Sequence, residues 1–206
     1  MLNKLIHKIQ IFRESLWEKN LRQKLTNKDF SIICSNCIGG IIYHRLGLKF
    51  LSPTINLWMY QYDYLKLVLD LKKYMELNLE FIETEYNYPV ARLGDITLYF
   101  NHYKSNEEAA SCWDRRKKRI NYDNLFLIMY DKDNLTKEDL KKLESVHCKG
   151  KIVISNNDYP DLGYVVKIKA DMSNPEKRYR FDKNKFTGKR KFEEAFNYVK
   201  WLNEGN

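Results

Sequence analysis

The chain has 206 residues, which is room for one elaborated domain. Its 44% hydrophobic residues can fill a core, so global disorder is excluded. Lys+Arg 36 against Asp+Glu 27 leaves a net charge of +9, compatible with a polyanionic or membrane-surface partner. Four scattered cysteines exclude a disulfide framework. No apolar run reaches the roughly 18 residues of a membrane span, and the N-terminus has no signal-peptide h-region. These features imply a soluble, cytoplasmic protein with reduced thiols.

Residues 1–28 read as an amphipathic helix, set apart from a single α/β domain over 29–206. Leu2, Leu5, Ile6, Ile9, Phe12 and Leu16 recur at three- and four-residue steps, with seven basic residues against Glu14 and Glu18 around them. Docking on the chain's own core is the default for such a stripe. The local excess of basic charge also makes an anionic membrane surface a candidate partner, with the protein peripheral at the inner face. Phe30 to Cys34 is a short apolar run suited to a buried parallel strand. Ile41 to Leu46 follows as a helix, with Gly47 as its stop.

Further on, Tyr60 to Glu76 reads as one helix and Leu79 to Thr84 as a strand. Val90–Leu93 and Ile96–Phe100 form a hairpin turning at Gly94-Asp95. Asn106–Arg119 is a helix and Asn124–Tyr130 a buried strand. Thr136–Glu144 is a helix capped by Thr136 and Asp139. Lys151–Ser155 and Tyr164–Ile168 are strands, residues 170–190 are loop-rich, and Lys191–Leu202 is a closing helix. Alternating buried strands and helices predict an α/β fold: a largely parallel central sheet, helices on both faces, and a small antiparallel hairpin insertion.

Ligands of open α/β sheets bind beyond the carboxyl ends of the strands, where the strand order reverses. Three polar loops qualify: Ser35 to Gly40, Tyr130 to Asn134, and Ser155-Asn156-Asn157-Asp158. In the first, a strand enters Ser-Asn-Cys-x-Gly-Gly and leaves as a helix, so Ser35, Asn36, Gly39 and Gly40 could hold a phosphate or sugar hydroxyls at the helix N-terminus. The same field would lower the pKa of Cys37 and make it a nucleophile. A tight strand-to-helix turn would need the small residues and nothing more. Cys34-x-x-Cys37 lacks further metal ligands, and Cys34 ends an apolar strand. A nucleophilic Cys37 wants a histidine: His44 lies too far along the helix, and His102 has no position that spacing can assign. The run Trp113 to Arg119 offers Trp113, Arg115, Arg116 and Arg119 to a diphosphate beside a sugar, against the alternative of a solvated basic face. Asp131 or Asp133 could act as a general base or chelate a divalent ion, and no cofactor is firmly implied.

The strings Ser35-Asn36-Cys37-Ile38-Gly39-Gly40, Leu46-Gly47-Leu48, Phe50 and Ser52-Pro53-Thr54-Ile55-Asn56 resemble a bacterial domain family of unknown function, found among exopolysaccharide and capsule biosynthesis proteins. Trp113-Asp114-Arg115-Arg116, Arg119-Ile120-Asn121 and Val153-Ile154-Ser155-Asn156 look like further motifs of it. The likeness covers roughly residues 30–204 and leaves the first 28 outside. It implies an α/β domain in surface-polysaccharide assembly, among members labelled as glycosyl- or acyltransferases, and it brings no catalytic residues with it.

Three functions follow as expectations. The first is a transferase acting on a phosphorylated or nucleotide-linked sugar, with substrate held by Ser35, Asn36, Gly39, Gly40, Trp113, Arg115, Arg116, Arg119, Ser155, Asn156 and Asn157. The second is a Cys37-dependent acyltransferase, and the third a non-catalytic glycan- or partner-binding module at the membrane surface. Nucleic acid is not an expected partner, because no helix-turn-helix, RRM or finger pattern is present.

Overall fold

The structure, a computed structural model, describes residues 2–131, 135–168, 184 and 187–206, with side chains from residue 7 onward. A four-stranded parallel sheet is formed by β1 (Ser31–Cys34), β5 (Leu125–Tyr130), β6 (Gly150–Ser155) and β7 (Val165–Lys167). Ile33 pairs with Leu127, Leu127 with Lys151, and Val153 with Val165. Every residue of β1 and β5 is buried, as the unbroken apolar runs require of strands covered on both faces.

Alternation along the strands sends neighbouring side chains into two separate cores. Ile33, Leu127, Met129 and Val153 face a layer made by α3 (Gln61–Leu69), α4 (Leu71–Glu76), α5 (Asn106–Lys117) and α6 (Lys137–Lys141). That layer also holds an antiparallel sheet of β2 (Glu80–Ile82), β3 (Val90–Leu93) and β4 (Ile96–Tyr99). Ile32, Cys34, Phe126, Ile128 and Ile154 face α2 (Ile38–Leu46), α7 (Lys191–Ala195) and α8 (Tyr198–Glu204). The α/β architecture expected from the sequence is therefore present, with three strands in the antiparallel insertion.

The strand order β1-β5-β6-β7 follows the chain, so the described sheet has no point at which the order reverses. This corrects the expectation of a crevice at such a reversal. The three polar loops instead share one edge of the sheet because they follow parallel neighbours. β1 lies at the end of the sheet. Its outward-facing amides are taken by side chains: Ile32 N–H donates to Tyr43 Oη at 3.1 Å and Cys34 N–H to Thr54 Oγ1 at 3.0 Å.

Local signals decide several boundaries. Gly47 closes α2 in the left-handed region at φ 66°. Gly94 turns the β3–β4 hairpin at φ 62°. Thr136 and Asp139 make a reciprocal capping box on α6, and Lys142 and Thr136 hold the Asp139 carboxyl down to about 2. Two single helices expected from periodicity are broken. The Tyr60–Glu76 segment divides at Asp70, whose backbone sits at φ −141°, ψ 51°. The closing helix divides at Phe196, where the backbone is extended. Of the expected loop 170–190, residues 170–183, 185 and 186 lie outside the described residues.

In the N-terminal helix, α1 (Leu2–Lys24), the described side chains of the apolar stripe, Ile9, Phe12 and Leu16, do not dock on the body. The helix approaches the body with Glu14 and Glu18, which both engage the buried Arg45 of α2. Arg45 also takes Glu193 of α7 through Nε at 3.0 Å and Nη2 at 3.3 Å. Burial alone would disfavour the guanidinium charge, but the hydrogen bonds it donates to Glu18, Glu193 and Glu14 outweigh it and raise its pKa. Ile9, Phe12 and Leu16 remain exposed. No helix among the described residues is long and apolar enough to cross a membrane.

Candidate active site

β1 delivers the chain into Ser35-Asn36-Cys37, and Cys37 is the N-cap residue of α2. The Asn36 carboxamide oxygen accepts the Ile38 amide at 3.0 Å and the Cys34 thiol at 3.3 Å. Cys34 is fully buried, and burial pushes its thiol up to about 12 against the pull of the Asn36 and Gly39 amides. The first donors of α2 are thus directed at groups of the same loop. The two glycines are explained by packing: a Cβ on Gly39 would meet Ile55 Cδ1 at 3.1 Å and Cys34 Cβ at 3.2 Å. One on Gly40 would meet Ile55 Cγ2 at 3.2 Å. They let α2 close onto the strand and onto the 52–56 segment.

That segment builds the second half of the site. Asn56 adopts φ 67°, a left-handed turn that asparagine tolerates. Past it, Trp58 and Tyr99 exchange backbone hydrogen bonds at 3.0 and 2.9 Å, and the Met59 amide donates to Ser35 O at 3.2 Å. One short extended stretch therefore ties the end of β4 to the loop after β1. The turn following β4 is closed by Tyr103 N–H to Phe100 O at 3.0 Å. It is anchored where Tyr103 Oη and Arg116 Nη1 each donate to Ile55 O at 3.0 Å.

This turn carries His102, and its Nε2 lies 3.3 Å from Cys37 Sγ. The imidazole is exposed and the thiol partly so, which leaves the pair open to solvent. Contrary to the lowered pKa expected from the helix field, burial pushes the Cys37 thiol up. A thiolate at neutral pH then depends on passing the proton to His102, which a contact at this distance permits.

The other expected residues are distributed as follows. Ser35 Oγ accepts the Tyr130 amide at 3.1 Å, and Asp131 Oδ2 accepts Ser155 Oγ–H at 2.8 Å. The three loops are thereby joined in series along the sheet edge. Asp131 Oδ1 also accepts the Leu135 amide at 3.2 Å, so one of its oxygens holds the β5–α6 connection and the other the end of β6. Asp133 lies outside the described residues, and no cluster of His, Cys, Asp and Glu suited to a metal occurs among the described ones. Asn156 is half-buried and Asn157 exposed, its amide donating to Ser155 Oγ at 3.0 Å.

The basic run does not form one cluster. Trp113 is in the core against Phe100, with ring centroids 6.2 Å apart. Arg116 is buried beneath the His102 turn, and Arg115 is exposed with Nη2 3.2 Å from Cys112 Sγ. Arg119 reaches Phe50 O at 3.3 Å, beside the start of β1, where Asn121 N–H donates to Ser31 Oγ. The buried stripe Ala109, Trp113, Arg116 runs at four- and three-residue steps, and that period was the sequence signal for it. His102 had no such signal, because its partner lies 65 residues away.

The raised Cys37 pKa fixes the sign of a pH test. Without His102, the thiolate fraction should become appreciable only at alkaline pH, rising tenfold per pH unit below the pKa. Iodoacetamide labelling of Cys37 in native protein should persist at pH 7 in the wild type. In His102→Ala it should move to higher pH, which peptide mapping would resolve. Coincident pH profiles would show that the imidazole does not act on the thiol.

The chain is similar to known proteins over most of its length. An uncharacterised protein of Haemophilus influenzae is similar to the chain, with 34% identity over 185 residues, covering 90% of this chain and 89% of that protein. A family model described as Domain of unknown function (DUF1919) matches residues 8–203, and so includes most of α1, which the sequence motifs had left outside. On that match, which takes in the Cys37 loop, the His102 turn and both cores, the chain belongs to the DUF1919 family.

Proposed function

We propose that the protein is a thiol-dependent acyltransferase of surface-polysaccharide assembly, with Cys37 as nucleophile and His102 as its base. The observation that carries this is the 3.3 Å approach of Sγ to Nε2 at the N-terminal end of α2. His102 takes the thiol proton as Sγ attacks the carbonyl carbon of an acyl donor. The bond to the leaving group breaks, and the leaving group departs with the proton from His102. An acceptor hydroxyl then gives its proton to His102 and attacks the thioester, and the departing sulfur recovers a proton. The positive end of the α2 dipole favours negative charge on the sulfur as it is expelled.

A sugar acceptor is supported by an aromatic cluster on the stretch that ties β4 to the Cys37 loop. Trp58 stacks on Tyr99 at 3.9 Å between ring centroids, with Tyr60 and Tyr86 edge-on to Tyr99 and Tyr88 stacked on Tyr86. Partly exposed rings with polar tips suit the apolar face and hydroxyl rim of a pyranose. The polysaccharide setting rests on the resemblance of the motifs. A transferase for phosphorylated or nucleotide-linked sugars has less behind it, since Arg116 and Arg119 donate to backbone carbonyls and Trp113 is core.

p-Nitrophenyl acetate provides the test as a generic acyl donor. Cys37 should acquire an acetyl group that neutral hydroxylamine removes. Cys37→Ser should form no such thioester, and His102→Ala should slow the acylation by about 10²-fold or more. Acylation that avoids Cys37 would remove the nucleophile and leave a binding module as the better reading, and acylation of Cys37 that ignores His102 would remove the base.

A further inference from the structure

We infer that α1 is an interfacial anchor that lays its outward face on an anionic lipid surface. The inference is independent of the chemistry proposed for Cys37. Ile9, Phe12 and Leu16 are 45%, 64% and 52% exposed, and their three- and four-residue spacing places them on one stripe. At 100° per residue, that stripe lies opposite Glu14 and Glu18, which the Arg45 contacts turn toward the body. The Ile9–Phe12–Leu16 stripe therefore points outward, while Glu14, Glu18 and Leu21 face the protein and the exposed Ile11 lies on the acidic side.

Charge selects the occupant. The same helical geometry puts Lys8 and Lys19 along one flank of the stripe and Arg13 and Lys24 along the other, and all four are exposed. With both acids of this stretch committed to Arg45, the outward half of the helix from residue 7 is purely basic in its charged groups. A second copy of this chain would bring the same basic flanks into contact and be repelled. An anionic bilayer accepts the apolar stripe among its acyl chains and places phosphates beside the flanking cations. The Arg45 contacts also hold the helix against the body, so the orientation exists before any surface is met.

The full-length protein should co-sediment with vesicles of phosphatidylcholine and phosphatidylglycerol at low salt, and not with phosphatidylcholine alone. Binding should fall steeply toward about 0.5 M salt. Lys8→Glu with Arg13→Glu should weaken it more than tenfold. Phe12→Glu with Leu16→Glu should do the same while leaving the thermal midpoint unchanged, because these side chains face away from the body. Three results would overturn the inference. They are no binding to anionic vesicles at low salt, binding indifferent to Phe12→Glu with Leu16→Glu, and a lipid-free dimer that those substitutions dissociate.

Discussion

Arg45→Ala is expected to destabilise the protein by about 3–5 kcal/mol, the cost of leaving a buried charge without its partner. Arg45 is nearly enclosed, with a side chain 6% exposed, and Glu193 is fully buried. The substitution removes both bonds to Glu193, both to Glu14 and Glu18, and the contact of the guanidinium with the Trp17 ring at 5.1 Å. Glu14 and Glu193 would then lose this cation, and Glu18 would keep only the half-exposed Arg22 at 3.1 Å. At about 2–4 °C per kcal/mol for a chain of this size, the midpoint should drop by roughly 6–20 °C. Arg45→Lys should recover little, because an ammonium cannot bridge three carboxylates with a planar fork. Arg45→Met with Glu193→Leu should recover part of the loss, since it removes the fully buried carboxylate and leaves only Glu14 and Glu18, whose side chains are 18% exposed. A single-substitution cost below about 1 kcal/mol, measured by urea unfolding, would mean that the cluster is solvated.

Trp113→Ala should cost a similar amount, about 3–5 kcal/mol, by opening a cavity against Phe100. This result separates two roles for the same residue. A tryptophan that stacks on a sugar would be replaceable with little change in stability, whereas one that fills the core is not. Trp113→Phe should cost much less than Trp113→Ala, because the indole Nε1 is buried without a hydrogen-bond partner among the described residues and its loss leaves nothing unsatisfied. Phe100 begins the turn that carries His102, so the cavity should also slow Cys37 labelling at pH 7. Unfolding free energies and labelling rates of the two variants would decide the matter, and an unaltered Trp113→Ala protein would return Trp113 to the list of ligand contacts.

The features legible in the sequence were those whose physics is local. Gly47 stops a helix because it alone enters the left-handed region cheaply, and Thr136 with Asp139 caps one because three residues separate them. The apolar runs at Phe30–Cys34 and Asn124–Tyr130 suit covered strands, which pointed to the α/β layers. The orientation of α1 was not legible, because it is decided by an arginine beyond the helix and a glutamate 148 residues from that arginine. Its apolar stripe was visible as a stripe, but the docking was settled by charge. Likewise, Cys37 stood out through its loop, while its histidine depends on a bridge between Trp58 and Tyr99 that no spacing announces.

The hydroxyl groups along the free side of β1 have a consequence for how copies of this chain meet. A terminal strand with open amides invites the strand of another molecule to join it, the first step of sheet-to-sheet aggregation. Here Tyr43 and Thr54 occupy the amides of Ile32 and Cys34, and Tyr43 in turn donates to Phe30 O at 2.9 Å. Ser31 Oγ–H adds a bond to Leu51 O at 2.7 Å, so the 51–54 segment lies over the margin. A crowding neighbour would have to displace four internal bonds before adding one of its own. The sheet is therefore finished at β1 without the protein spending another strand on it.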